Sequence, residues 1–535
     1  MIINRTNLFA VGICLSITLS SLGFSGQAMA YKRLNMPQQD IADYKNIDTA
    51  SLSRLYPQTD DYIWIKEQSL SPQAYTALKF ITNSSDHGLE PNDYHFDLLQ
   101  QLDPTADDES HLFDFILSDG LLKLIRDISV GRLDPSTVDP KWSIPRVPFD
   151  APVFLQQALA TNYFSASLGS LIPSSNQYKQ LTEATVFYQK IVDRGDWQVI
   201  PKSEKLRIGD KHTNISLIRN RLAIENNSNV KLDSRPESQP NSKQPNIYDD
   251  QLEKIVKQFQ RNHSLYPDGI IGNATQQALN VSASERLQQI NINLERLRWL
   301  PNNLGRRYIM VNLANYRLKA IEDNQVKLNM RVIVGKSKRS TPSFSSQMTH
   351  VVLNPKWYIP NKLARLDLLP KQQNNPDYFD RFNIRVYSNE SGEKVEISPN
   401  SVDWHSVSRQ HFPYTLVQDP GKRNALGRLK FILPNPWRIY LHDTPLKSLF
   451  DRSKRTFSSG CIRVEDPFAL AGFSLSESNS HQALLDQIEN KESYSTKLHQ
   501  PLSVYAIYST VWLNGDELVF SPDNYKRDLK MAQYL

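Results

Sequence analysis

The chain of 535 residues is too long for a single hydrophobic core and indicates about two to four domains. Its formal net charge of +6 is spread without a long basic block, which argues against nucleic acid as a partner. A mildly basic surface suits an anionic polymer such as a cell wall, although solubility alone is the simpler explanation.

Residues 1–30 have the organisation of a secretory signal peptide. Arg5 precedes an apolar run, LFAVGICLSITL, and Ala28-Met29-Ala30 then offers an A-x-A cleavage site before Tyr31. Two alternatives are weaker. An uncleaved membrane anchor needs a spanning helix of about 20 residues, for which the apolar run is marginal. A lipoprotein site at Cys14 would need a small residue where the chain has Ile13.

The two cysteines, Cys14 and Cys461, have different fates under this prediction. Cleavage of the signal removes Cys14, so that Cys461 has no intramolecular partner for a disulfide. An unpaired thiol in an oxidising compartment is either a reactive group with a chemical role or a buried, inert side chain. The residues around Cys461 must decide between these interpretations.

Residues 31–205 are predicted to form a helical scaffold domain. Apolar residues recur on one face of a long helix, which should end before the glycine and proline of GRLDP at residues 131–135. These apolar positions are Leu117, Leu121, Leu122, Leu124, Ile125 and Ile128. No cluster of residues in this part of the sequence suggests chemistry.

Residues 206–282 are predicted to form a small helical module, interrupted by a polar, proline-broken insertion at residues 224–246. The later run FQRNHSLYPDGIIGNATQQAL resembles the three-helix peptidoglycan-binding module of many wall enzymes. That resemblance implies binding to glycan strands, whereas the residues alone require only a helical bundle. A three-four spacing of leucine and isoleucine predicts a linker helix over residues 283–304.

The pattern changes to β-structure over residues 305–480. Short apolar runs between turn residues predict strands at 308–313, 316–321, 327–335, 349–360 and 437–443. Residues 361–430 lose this pattern, and we interpret them as a lid inserted into the β domain. Residues 481–535 are expected to be a C-terminal extension that packs on the scaffold or on this domain. The predicted fold class is therefore multidomain α+β.

The stretch HDTPLKSLFDRSKRTFSSGCIRV, residues 442–464, holds the candidates for chemistry. A cysteine attacks a carbonyl efficiently only as its thiolate, so it needs an imidazole to take its proton and donors for the developing oxyanion. His442 can supply the imidazole, and Gly460 permits a tight turn that aims backbone N–H groups at one point. We therefore predict a lowered pKa for the Cys461 thiol. The alternative for His442 is a strand histidine that merely packs.

This arrangement is similar to the signature of the L,D-transpeptidases, the cysteine enzymes that cross-link peptidoglycan stem peptides. Five residues fall on positions of that motif, namely His442, Ser459, Gly460, Cys461 and Arg463. Many relatives carry a histidine where this chain has serine before the glycine, although large members often have serine. The motif covers both the nucleophile and its proposed base.

Other segments extend the resemblance to most of residues 40–535. TPSF at 341–344, NPKWYIP at 354–360 and YLHDTP at 440–445 look like family elements. The helical N-terminal part, the wall-binding module and the C-terminal tail resemble the large Gram-negative members.

The resemblance implies a role for each matched residue. Cys461 is the implied nucleophile, and His442 is its base, oriented by the backbone carbonyl of Asp443. The N–H groups of Gly460 and Cys461 are the implied oxyanion hole. Arg463 either braces the loop or meets a substrate carboxylate, for which its bidentate fork is suited.

Three further residues are implied to bind substrate, namely Ser459, Tyr440 and Trp357. Tyr440 and Trp357 match aromatic positions that line the substrate cleft of the family. Aromatic residues in strands also commonly fill cores, and this remains the alternative for both.

The implied reaction is a DAP-to-DAP cross-link made through a Cys461 thioester, with release of D-alanine from a tetrapeptide donor and with acylation by carbapenems. No metal and no cofactor are implied. The implied partners are peptidoglycan stem peptides, glycan strands and wall-synthesis proteins, in the periplasm, with a membrane involved only if the signal is uncleaved. The alternatives are an L,D-carboxypeptidase, a ligase that joins lipoprotein to peptidoglycan, and a non-catalytic wall-binding scaffold.

Overall fold

The computed structural model describes residues 47–56, 62–226, 245–388, 393–475, 486, 488–489 and 492–535. The predicted signal peptide at 1–30 lies outside the described residues, as does most of the predicted polar insertion at 224–246. Among the described residues, no helix has both the length and the apolar character needed to cross a bilayer.

The first elements to place are the helices. In the described residues the α-helices are α1 (Thr49–Leu55), α2 (Pro72–Thr82), α3 (Phe96–Gln101), α4 (Ser110–Val130), α5 (Pro135–Val138), α6 (Ala151–Leu159), α7 (Phe164–Gly169), α8 (Asn176–Asp193), α9 (Asn214–Asn226), α10 (Asp250–Asn262), α11 (Asn273–Leu279), α12 (Ala283–Arg298), α13 (Asn361–Leu363), α14 (Leu369–Asn374), α15 (Tyr378–Arg381), α16 (Pro467–Leu475) and α17 (Arg527–Met531).

The strands are concentrated in the C-terminal half. They are β1 (Ile65–Lys66), β2 (Ser69–Leu70), β3 (Trp142–Ser143), β4 (Arg307–Asn312), β5 (Arg317–Glu322), β6 (Gln325–Gly335), β7 (Ser343–Leu353), β8 (Trp357–Tyr358), β9 (Ile384–Ser388), β10 (Val395–Ile397), β11 (Tyr414–Gln418), β12 (Leu429–Ile432), β13 (Leu441–His442), β14 (Thr456–Ser458), β15 (Ile462–Val464), β16 (Tyr494–Ile507), β17 (Val511–Asn514) and β18 (Glu517–Phe520).

The chain divides into two compact units. The first contains the described residues up to Arg132 together with Val147–Val186, and the second contains Leu133–Arg146 and the described residues from Phe187 to Leu535. The first unit is helical, and the second combines helices with the large β-sheet. The predicted multidomain α+β class is confirmed.

The long helix α4 forms the centre of the first unit. Its predicted apolar face is buried at every position, and the helix ends at Val130, directly before Gly131. The helix also buries Asp114, whose carboxylate accepts hydrogen bonds from the Trp64 amide at 2.6 Å and the Tyr56 hydroxyl at 2.6 Å. This carboxylate therefore has a structural role, because its hydrogen-bonding capacity is taken up by the core.

Helices α9, α10 and α11 of the second unit form the predicted module. Ile215, Val256 and Ile271 are fully buried in a common core. The Gln260 side chain fixes the DGII turn, because its Nε2 donates to the Asp268 carboxylate at 2.9 Å while its Oε1 accepts from the Gly269 amide at 2.9 Å. The linker helix α12 follows and begins with a capping box between Ser282 and Glu285.

The large sheet has the strand order β12-β13-β15-β6-β5-β4-β16-β7-β3, and β12 also pairs with β7, which closes the first eight strands into a ring. Strands β4, β5 and β6 correspond to three of the predicted strands. The predicted strand at 437–443 is reduced to β13, because Arg438 adopts a left-handed conformation with φ of 55°.

Two strands of this sheet come from outside residues 305–480. The C-terminal strand β16 lies between β4 and β7, pairing parallel to the first and antiparallel to the second. Strand β3 comes from within the predicted scaffold and pairs with β7 through Trp142 and Ser143. The predicted boundaries at 205 and 480 therefore do not coincide with the edges of the sheet. The sequence analysis predicted no strand in either segment, and the local pattern does not show the distant strands with which they pair.

The predicted lid contains regular structure that its sequence pattern did not reveal. Strands β9, β10 and β11 of this segment form a four-stranded sheet with β8, which lies just before residue 361. Side chains of the short helices share a hydrophobic core with this sheet. The fully buried side chains of Phe379, Val386 and Leu416 belong to a core of its own. Because its strands have two to five residues, they are too short for a clear alternation of apolar and polar positions.

Candidate active site

The register between β13 and β15 brings the predicted catalytic residues together. These strands are parallel, with Leu441 opposite Ile462 and His442 opposite Arg463. Leu441 and Ile462 are fully buried in the sheet core. Since successive side chains of a strand point to opposite faces, Tyr440, His442, Cys461 and Arg463 share the other face.

A fifth residue on this face, Lys430, was missed by the sequence analysis. On β12 it lies opposite His442, while its neighbour Phe431 points into the core opposite Leu441. The Lys430 ammonium lies 4.2 Å from the centre of the Tyr440 ring. The sequence LKFIL contains a signal for this residue, because a lysine that alternates with apolar residues in a strand lies on the face opposite the core.

Cys461 is a free, half-buried cysteine. Burial raises the pKa of its thiol, and this effect outweighs hydrogen bonds from the amide and hydroxyl of Tyr440 and the positive charges of Lys430 and Arg463, all of which lower it. The predicted lowering of the thiol pKa is therefore wrong for the free protein. The sequence motif shows which groups are near the thiol but not how much water the fold removes from it.

His442 is held as a neutral, oriented imidazole. Its Nδ1 lies 2.5 Å from the Asp443 carbonyl oxygen, which can only accept, so Nδ1 carries the proton and Nε2 has a free lone pair. Burial, followed by the positive charge of Arg463 and that of Lys430, lowers the pKa of His442 to about 3. At neutral pH the imidazole is thus able to accept a proton at Nε2.

Asp443 is fixed by its own side chain. One carboxylate oxygen accepts from the Arg428 amide at 2.8 Å, and the other accepts from the Lys447 ammonium at 2.7 Å. Gly427 has a φ of 62°, and a Cβ there would lie 2.3 Å from the Asp443 carboxylate, so only glycine fits. These contacts fix the residue whose carbonyl orients His442.

The nucleophile turn places the amides before Cys461. Gly460 has a φ of 130°, and its carbonyl accepts from the Thr341 hydroxyl at 2.8 Å. Its amide donates to the Ser458 hydroxyl at 3.1 Å, so the predicted oxyanion donor is already engaged within the turn. The Cys461 amide has no hydrogen-bond acceptor in the described part of the chain.

No hydrogen bond joins the Cys461 thiol to His442 within the described ranges. The ring centroids of Tyr440 and His442 are 5.6 Å apart, and Tyr440 also hydrogen-bonds Trp357. The structure therefore places Tyr440 as the direct neighbour of the sulfur and places Trp357 behind it. Tyr440 thus lies at the candidate site and not in the core of the large sheet, whereas Trp357 also packs against the core of the predicted lid.

Ser459 is exposed and connects the nucleophile turn to the lid. Its hydroxyl accepts from the Arg339 guanidinium at 3.0 Å. The same guanidinium pairs with both carboxylate oxygens of Asp367, at 2.5 and 3.0 Å. Asp367 belongs to the predicted lid, so Arg339 bridges the lid and the turn.

Within the described part of the chain, Arg463 makes no ion pair, and its buried Nε atom has no hydrogen-bond partner. Of its two predicted roles, bracing the loop therefore receives no hydrogen bond from the described chain. The guanidinium remains available on the face that carries the thiol.

Comparison with known proteins identifies this region. Residues 306–479 match the family model for the L,D-transpeptidase catalytic domain. Cys461 and His442 thus lie in a segment that is similar to the L,D-transpeptidase catalytic domain. Residues 212–279 match the "Putative peptidoglycan binding domain" and residues 50–184 match a scaffold domain, so the resemblances drawn from the sequence are confirmed at the level of these segments.

A curated relative supports the same assignment. The chain is 35% identical over 249 residues to a "Putative L,D-transpeptidase" of Haemophilus influenzae (strain ATCC 51907 / DSM 11121 / KW20 / Rd). The match covers 46% of this chain and 50% of the relative, so it spans about half the length of each protein.

Solved structures of transpeptidases show weaker likeness. An L,D-transpeptidase from Mycobacterium smegmatis is 10% identical, with coverage of 38% of this chain and 58% of that chain and a TM-score of 0.18. One from Xylanimonas cellulosilytica DSM 15894 is 12% identical, with coverage of 57% of this chain and 99% of that chain and a TM-score of 0.16. The assignment of the transpeptidase domain therefore depends on the family match and the curated relative.

Proposed function

We propose that this protein is an L,D-transpeptidase that makes DAP-to-DAP peptidoglycan cross-links through a Cys461 thioester. The observation that supports it best is the juxtaposition, on one face of the matched domain, of a lone thiol and a buried neutral imidazole whose Nε2 is free. A cysteine acyltransferase needs this pair of groups.

In the first step, Cys461 attacks the carbonyl between meso-diaminopimelate and the terminal D-alanine of a donor tetrapeptide. The sulfur accepts hydrogen bonds from Tyr440, so its own S–H remains available to donate to Nε2 of His442. Because both groups are neutral at rest, the proton moves to His442 as the S–C bond forms. The cationic imidazole is stabilised by the Asp443 carbonyl at Nδ1.

The negative charge on the attacked oxygen needs donors. The Cys461 amide is free to provide one, and the Gly460 amide joins it by exchanging the Ser458 hydroxyl for the oxyanion. Collapse of the intermediate breaks the C–N bond, and His442 returns its proton to the departing D-alanine amine. The amine of an acceptor stem then attacks the thioester and restores the thiol.

Water competes with the acceptor amine for the thioester, so the site must exclude water while the thioester exists. The lid is the part of the structure that could cover the site. The lid is tied to the nucleophile turn through Arg339. Trp357 of β8, the strand that pairs with β11 of the lid, hydrogen-bonds Tyr440. We propose that Trp357 and Ser459 line the donor side of the cleft, and that lid closure excludes water and so favours transfer over hydrolysis.

The proposed setting is the periplasm, with the signal at residues 1–30 directing export. Peptidoglycan stem peptides and glycan strands are the proposed substrate, and wall-synthesis proteins are proposed partners. The module matched at residues 212–279 is proposed to hold glycan strands near the transpeptidase domain.

The test is incubation with purified tetrapeptide muropeptides and, separately, with a carbapenem, followed by mass spectrometry. We expect a DAP-to-DAP dimer, free D-alanine and a carbapenem adduct from the wild type and from Ser459→Ala, and none of these from Cys461→Ala. A tripeptide product without dimer would identify a carboxypeptidase instead, and an adduct that persists in Cys461→Ala would refute the cysteine mechanism.

A further inference from the structure

Two cations on the active-site face have no counter-ion among the described residues. Lys430 and Arg463 are both half-buried, and neither forms an ion pair with a carboxylate of the described chain. The Lys430 ammonium lies 4.2 Å from the centre of the Tyr440 ring, and both residues lie opposite His442 on the neighbouring strands. Both charges act on the Cys461 thiol, whose pKa they lower. Two uncompensated positive charges therefore flank the nucleophile.

Such a pair is costly to the folded protein unless something compensates it. Partly buried charges lose hydration, and these two cations also repel each other and a protonated imidazole. The neutral thiol cannot compensate them in the free protein. The arrangement fits an anion that arrives with the substrate.

The chemistry of the donor supplies an anion at a suitable distance. In a tetrapeptide the carboxylate carbon of the last residue is separated from the attacked carbonyl carbon by one nitrogen and one α-carbon, which places it about 3–4 Å away. Other carboxylates of the stem lie at least one residue or one side chain further from the attacked carbon. Groups that flank Cys461 are therefore within reach of the terminal carboxylate first.

We propose that Lys430, together with Arg463, binds the C-terminal carboxylate of the donor stem and so selects donors whose scissile bond is their last peptide bond. This inference rests on the proposed function and adds a specificity residue outside the cysteine motif. One further residue at the end of the donor moves the carboxylate by about 3.8 Å and takes it out of the site. Amidation removes the charge and leaves the shape almost unchanged.

The test compares a tetrapeptide donor with its C-terminal amide. Binding is measured by calorimetry in the Cys461→Ala background, and release of D-alanine or D-alaninamide is measured with intact Cys461. Lys430→Met, Lys430→Arg and the control Lys327→Met are compared, Lys327 being an exposed lysine near the start of β6.

We expect the acid to bind about 10- to 100-fold more tightly than the amide, as hydrogen bonds to charged groups allow. Lys430→Met should lose most of this preference by weakening the acid alone, chiefly through KM, Lys430→Arg should recover part of it, and Lys327→Met should keep it.

Equal binding of acid and amide to Cys461→Ala would overturn the inference, as would a Lys430→Met variant that weakens both donors alike. If the acid is preferred in binding but the wild type forms no product, the carboxylate site stands and the proposed function fails. The two failures are thus distinguishable.

Discussion

Cys461 illustrates how much a motif reveals about a residue and what it leaves open. The motif predicted that the thiol, His442 and the Asp443 carbonyl lie close together, and the pairing of β13 with β15 brings these residues to one region of the fold. It could not reveal that burial raises the pKa of the thiol, since that effect depends on groups from several strands. Lys430 was missed for the same reason, because its place beside His442 follows from the pairing of two strands.

The thiol leads to a prediction about pH. Because burial raises its pKa, the rate of alkylation of Cys461 by iodoacetamide should be low at pH 7 and should rise through a midpoint above the ordinary value of about 8.5. Tyr440→Phe removes a hydroxyl that stabilises the thiolate, so the midpoint should move to still higher pH. Ser459→Ala is the matched control and should leave it unchanged, because Ser459 bonds Arg339 and not the sulfur.

The measurement is the alkylation rate as a function of pH, followed by intact mass. A wild-type midpoint at or below 8.5 would instead indicate a thiolate–imidazolium pair, as the sequence analysis first predicted. In that case His442→Ala would slow alkylation at pH 7, whereas a neutral imidazole predicts little change.

At the scale of elements, the predicted lid is a small folded body attached at identifiable points. Its core and four-stranded sheet were not predictable from its sequence, because strands this short do not establish a period. Its position between the strands at 349–360 and 437–443 was predictable, because both flanks have clear β patterns. Arg339 attaches the lid to the nucleophile turn through Asp367.

We expect Asp367→Asn to loosen the lid. The pKa of Asp367 is lowered by its hydrogen bonds with Arg339, so the carboxylate is ionised and paired at neutral pH, and the pairing is lost only as the pH falls through that lowered pKa. Partly exposed ion pairs contribute roughly 0.2–1 kcal/mol, so hydrogen exchange in residues 364–374 should rise by up to about five-fold. Exchange in β4 and β5 should not change.

Asp451→Asn provides the control, because it removes another exposed carboxylate paired with an arginine, Arg331, away from the lid. Equal exchange in the lid of Asp367→Asn and Asp451→Asn would show that the Arg339 bridge does not hold the lid.

For the whole molecule, the large sheet shows why domain boundaries are the hardest feature to predict. The sequence analysis expected only a packed extension in the C-terminal segment, whereas the structure has a strand there, with Val504 and Ala506 fully buried. Its partners β4 and β7 lie far upstream, and the parallel pairing with β4 leaves no trace in the local pattern. A boundary at residue 480 was therefore natural from the sequence, although it divides one sheet.

The last prediction follows from that position of β16. Deletion of residues 492–535 removes the strand between β4 and β7, opens the ring and exposes two hydrogen-bonding edges, so we expect the transpeptidase domain not to fold. Deletion of only the exposed residues 533–535 should be tolerated.

In the full chain, Val504→Asp places a charge in the core and should lower the free energy of unfolding by more than about 3 kcal/mol. Ser503→Asp, on the opposite face of the same strand, should cost much less. Thermal melting with Cys461 alkylation as a local probe measures both effects, and a cooperative, alkylatable domain that ends at residue 480 would show that the C-terminal segment is an appendage and not part of the sheet.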